Sequence, residues 1–153
     1  MRDGEFNTID RERLMSWFNF DEEAVAFFEC AWAAAHGWDD ITDENKVGEH
    51  TNAMISWFAF GKEMMPFFER NAPYLRPVML SVYLQWQAAN ALEAHTEDGD
   101  TRLEKSLMLR AGIYNLAHFM AYLCGGHDHA VEVALEIFDS YGETVEGLKR
   151  EFL

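Results

Sequence analysis

Basic residues are scarce in this chain of 153 residues: 12 Lys and Arg stand against 27 Asp and Glu, a net charge of −15. A surface of that sign disfavours direct contact with nucleic-acid phosphates or anionic membranes. Cysteine is nearly missing. Cys30 and Cys124 stand alone, without a C-x-x-C, each in an apolar stretch of helical spacing. Two buried free thiols in a reducing compartment are therefore expected. Three prolines and ten glycines are too few for a low-complexity chain. No apolar run approaches the ~18 residues of a membrane span, and the opening MRDGEFNTIDRER holds no signal-peptide core. A cytoplasmic protein with no membrane association is expected. No Gly-rich phosphate loop and no nucleophile with its base declares itself. β-branched residues are few and nothing alternates over five positions, which leaves no strand.

What remains is a chain with 49% hydrophobic and 14% aromatic residues. That is enough for a single domain burying roughly two-thirds of its unfolded surface. The pattern is helical throughout. Residues 1–18 read as a polar arm ending in Trp17 and Phe18. Asp21 caps a first helix from Glu22 to at least His36, with Phe20 and Val25 placed as a staple. A second helix fits Val47 to about Met64, ended or kinked by Pro66. NAPYLRP reads as a connector, because residues before proline avoid helical geometry. A third helix starts at Pro77 and runs to about His95, followed by the loop TEDGD. Thr101 and Glu104 form a capping box for a fourth helix reaching about Cys124, stopped by Gly125 and Gly126. Asp128 opens a fifth helix to about Tyr141, and Val145–Phe152 is a short sixth. The expected architecture is an all-α, single-domain bundle of five to six helices over residues 19–153.

The stretch HGWDDITDENK places four carboxylates between Asp39 and Glu44. If the first helix continues through Gly37, Asp39 and Asp43 are i and i+4, and Asp40 and Asp43 are i and i+3, on one face. Three carboxylates there supply the hard oxygens that magnesium or manganese prefers, and magnesium characteristically bridges such groups to phosphates. Near a helix C-terminus the acids also carry a dipole penalty of roughly 0.3–1 kcal/mol each, which a cation cancels. The competing reading ends the helix at Gly37 and makes the acids the capping first turn of the next helix. Both stay open on the sequence.

A second polar feature lies downstream. Gln87, Asn90 and Glu93 recur at i, i+3 and i+6 beside Trp86. Arg110, Tyr114 and His118 recur at i, i+4 and i+8, with Asn115 adjacent. A buried Arg requires an anion, here Asp39, Asp40, Glu93 or a bound phosphate. The same residues also read as a plain structural bridge with a satisfied Tyr and His at the core edge. His127-x-His129 has no third metal ligand at matching spacing.

Asp39-Asp40-Ile41-Thr42-Asp43 resembles the D-D-x-x-D motif of isoprenoid synthases, which are all-α and hold magnesium against a substrate diphosphate. That resemblance implies Asp39 and Asp43 as chief metal ligands and Arg110 as a diphosphate contact. More broadly, Trp32, the W-D-D-I-x-D stretch from Trp38 to Asp43, Pro66-Phe67-Phe68 and the Gly125–Gly126 turn are similar to features of small helical proteins encoded by phages and their hosts. This likeness implies a coherent family and a host-cell cytoplasmic location, without implying an activity. Two functions follow as expectations. One is a magnesium- or manganese-dependent enzyme acting on a phosphorylated or diphosphorylated small molecule. In it Asp39, Asp40 and Asp43 hold the metal, Arg110 offsets phosphate charge, and Tyr114, Asn90 and His118 orient substrate or water. The other is a non-catalytic acidic protein that binds a host or virion protein, as by mimicking a nucleic acid. Self-association fits either.

Overall fold

Asp21 is the cap expected of it: its Oδ1 accepts the backbone N–H groups of Glu23 and Ala24 at 3.0 and 3.1 Å. From that point the chain folds as helices. The computed structural model describes the backbone of residues 9–44, 51–97 and 101–153, and the side chains of these apart from 40–44 and 51–54. The order is α1 (Arg11–Trp17), α2 (Glu22–Glu44), α3 (Thr51–Gly61), a 3₁₀ turn (Lys62–Met64), α4 (Pro66–Ala94), α5 (Arg102–Arg110), α6 (Gly112–Asp139) and α7 (Val145–Phe152). The all-α expectation holds. The helix count among the described residues is seven rather than five or six, and each difference has a local cause.

The stretch read as a polar arm contributes α1. Asp10 caps it by accepting the Glu12 N–H at 3.0 Å, and Leu14, Trp17 and the following Phe18 are buried. The turn into α2 places Asn19 and Phe20 at φ 52° and 64°. Phe20 faces solvent, 71% exposed, so the Phe20–Val25 staple does not form. Val25, Phe27, Phe28, Ala31 and Trp32 instead set α2 into the core against α4 and α6. Phe27 sits at its centre, with ring centroids 5.7 Å from Phe58, 5.9 Å from Phe67 and 5.7 Å from Phe68.

NAPYLRP is not a connector. Pro66 occupies the first turn of α4, and Pro73 and Pro77 lie inside that helix. Both are exposed, while Phe68, Ala72 and Leu75 on the opposite side are buried. The prolines lack the N–H groups that the carbonyls of Glu69 and Pro73 would otherwise accept within the helix. Burial of the 68/72/75 stripe, roughly 1.5–3 kcal/mol per large side chain, then holds the helix through the pre-proline bias. The second helix was expected from Val47, which lies outside the described residues, as do Asp98 to Asp100 of TEDGD.

The fourth expected helix is two. Ala111 (φ −76°, ψ 17°) separates α5 from α6, and Thr101 makes no side-chain capping bond. Gly112 lets α6 close on α4: a Cβ there would meet Val82 Cγ1 at 2.8 Å. The Gly125–Gly126 interruption is real. Gly126 has φ 83° and ψ −175° inside α6, a conformation open essentially to glycine alone.

Candidate functional site

α2 runs unbroken through Gly37 to Glu44, so the aspartate-rich stretch is helical rather than a capping turn. Its backbone puts positions 39 and 43, and 40 and 43, on one face. The side chains of Asp40 and Asp43 lie outside the described residues. This acidic stretch forms the last turns of α2, with no basic residue there. The C-terminal end of a helix favours a cation.

Beside it lies a cavity of about 440 Å³, within the range of small-molecule sites. Small residues create the space. Ala31, Ala34 and Ala35 of α2 face Gly112 at the start of α6. Larger apolar groups complete the wall: Ile55 and Phe58 from α3, Met79 and Val82 from α4, Ile113 and Leu116 from α6. Tyr83, Trp86 and Trp38 make one side aromatic, with the two indoles 6.4 Å apart edge-on. Among the described residues, only His36, Asp39 and Arg110 bring charge-bearing groups to the lining.

Arg110 ends α5 and is held from two helices. Its Nε and Nη2 donate to the two carboxylate oxygens of Glu93, and Nη2 also donates to Asn90 Oδ1 at 3.2 Å. Nη1 stands 3.6 Å from Asp39 Oδ1. Glu93 is only 4% exposed. The forked guanidinium thus satisfies a buried carboxylate and then reaches α2. Among the described residues, this end of the cavity sets one guanidinium against two carboxylates. His36, one turn before Asp39, adds no second positive charge. Burial pushes its imidazole down to about 4, against the opposing pull of Asp39, so it is neutral at pH 7. Its ring meets Trp32 edge-on at 4.4 Å.

The structure therefore brings Asp39, Asn90 and Arg110 together and selects Glu93 as the principal anion partner. Tyr114 and His118 are not among the cavity-lining residues. Tyr114 is buried against Trp32 at 5.6 Å, and its hydroxyl donates to the Ser140 carbonyl at 3.3 Å. His118 Nε2 is 2.9 Å from the Ala130 carbonyl, across the Gly126 break. His129 is likewise held by the Trp17 carbonyl at 2.8 Å, while His127 is exposed. Among the described residues, no three His, Cys, Asp or Glu side chains gather as a metal site. Sequence reasoning missed the cavity itself. Its signal was Ala31, Ala34 and Ala35 at i, i+3 and i+4, about one helical turn of missing bulk beside Trp32 and Trp38. No family model, curated protein or solved structure matches this chain.

Proposed function

We propose that the protein binds a small amphiphilic molecule, with an apolar body in the α2–α3–α4–α6 cavity and a phosphorylated or diphosphorylated head brought to Asp39 by magnesium or manganese. The observation that carries this reading is the asymmetry of the cavity. Its walls are apolar and aromatic, and its polar residues collect at one end, beside the carboxylate that opens D-D-x-x-D. Arg110 is already engaged by Glu93, so a bare phosphate meets the Asp39 carboxylate. A divalent cation held there would offset that charge and could link the carboxylate to the phosphate. Asp39 is the described ligand for it, with Asp40 and Asp43 the further ligands implied by helical register. Arg110 and Asn90 fix the position of Asp39 rather than contacting phosphate themselves. A metal held by these residues would supply an activated water, and hydrolysis of the head would be the simplest reaction for it.

A second reading has its own observation. Trp38, Trp86 and Tyr83 beside Asp39 also suit an organic ammonium head, which gains from aromatic faces and from the carboxylate together. Melting scans separate the two. With magnesium, a medium-chain alkyl diphosphate at a hundred times its dissociation constant stabilises by about 2.7 kcal/mol, roughly 5–10 °C. Inorganic pyrophosphate gives a smaller shift and EDTA abolishes both. An equal shift from a medium-chain alkylamine in EDTA transfers the site to the ammonium reading. No shift from either class contradicts a small-molecule function. Release of inorganic phosphate under the same conditions extends binding to hydrolysis.

A further inference from the structure

Between Arg76 and Glu93, α4 carries no charged residue, in a chain with 27 acids and 12 bases. The inner side of this stretch is accounted for by packing on the bundle. The outer side is not covered by the described residues: Pro77, Leu80, Leu84, Gln87 and Ala91, and Pro73 one turn before the stretch, are all exposed, with Leu80 at 59% and Leu84 at 56%. Their spacing alternates four and three along the chain. That is the heptad seam by which one helix packs on another, narrower than the stripe a helix needs to cover a domain core. Gln87 is its polar member, and its amide donates to the Tyr83 hydroxyl at 3.1 Å.

We propose that this seam joins two copies of the chain, with their α4 helices antiparallel about a twofold axis between Leu80 and Leu84. Charge argues for a second copy. At −15 two chains repel over most of their surfaces, and contact through an uncharged face brings the fewest carboxylates together. Shape argues for the direction. The seam is bulky at its N-terminal end, with Pro73 and Pro77, and small at its C-terminal end, with Ala91. Antiparallel pairing sets Leu80 on the other copy's Leu84, Pro77 on its Gln87 and Pro73 on its Ala91, so bulk meets space. A parallel pair would stack proline rings at one end and leave a gap at the other. The seam is about 27 Å long at 1.5 Å per residue, and a single helix pair of that length covers less area than the ~800 Å² per partner of a standard interface. The dimer is accordingly weak and concentration-dependent.

Sedimentation velocity of the full chain from micromolar to millimolar concentration tests this. The mass is expected to rise from 17.7 kDa towards twice that value. Leu84→Glu weakens association roughly tenfold or more. The double variant Leu80→Lys, Leu84→Glu restores it, because antiparallel pairing sets each new ammonium on a new carboxylate. Both substitutions are on exposed positions, and circular dichroism verifies that the helices persist. A parent chain that stays monomeric throughout overturns the proposal, and flotation of that monomer with neutral phosphatidylcholine vesicles would assign the face to lipid instead. A dimeric parent whose double variant stays monomeric overturns the antiparallel register.

Discussion

Glu93 is nearly sealed from water, and the forked contact with Arg110 is what makes its ionised form tolerable there. Removing the cation alone strands that charge. Arg110→Met is expected to cost about 3–5 kcal/mol in urea denaturation. The double variant Arg110→Met, Glu93→Leu should recover most of the loss, since an apolar pair has no charge to strand. His36 makes a second expectation, one of pH. Its folded value is about 4 against 6.5 for the free side chain. Between those values the unfolded chain binds a proton that the folded chain refuses. Stability therefore falls as pH drops from about 6.5 towards 4, by up to about 3 kcal/mol. Urea midpoints in EDTA across that window should show a shallower fall for His36→Gln than for the parent. The Asn90–Glu93–Arg110 group was legible in the sequence, because polar residues at helical spacing amid apolar neighbours require partners. Tyr114 and His118 do not line the cavity beside that group, for a definite reason. Their i+4 and i+8 relation to Arg110 holds only on one continuous helix, and the break at Ala111 restarts the helical phase.

Helix boundaries record a contest between local preference and burial. Local chemistry won at Asp21, whose cap is as the sequence implies, and at Gly126, where α6 is interrupted. It lost in NAPYLRP, where an unusually apolar inner stripe keeps two prolines helical. It lost again at Thr101, whose hydroxyl does not cap. Pattern reasoning reads caps and stops well, and misjudges them where the energy comes from distant contacts such as Gly112 on Val82. Gly126 offers a clean test. No heavy atom lies within 4 Å of a Cβ built there, yet its φ is 83°. Gly126→Ala should therefore cost about 1–3 kcal/mol through backbone strain alone. Gly142, equally uncrowded and without positive φ, should accept alanine within about 0.5 kcal/mol. Thermal unfolding of the two variants side by side separates strain from packing.

Across the whole molecule, acidity and aromatic content are arranged in different places. Acids that a nucleic-acid mimic would gather on one surface are distributed over separate elements: Glu12 on α1, Glu22 on α2, Glu63 in the 3₁₀ turn, Glu132 on α6 and Glu146 on α7. Glu63 is moreover paired with Arg76 at 2.6 Å. The cavity, by contrast, gathers apolar walls from four helices around a single polar end. Its existence was hidden from the sequence because it depends on which small residues face each other across α2 and α6, a matter of three-dimensional register. The proposed function requires Asp39 to present a cation to a ligand head at that end. Calorimetric titration of a medium-chain alkyl diphosphate into the parent chain and into Asp39→Asn, each with magnesium and with EDTA, tests it most directly. One-site binding by the parent with magnesium is expected, weakened at least ~10-fold by EDTA and by the substitution alike. Binding of equal strength in all four titrations, or in none, would contradict it.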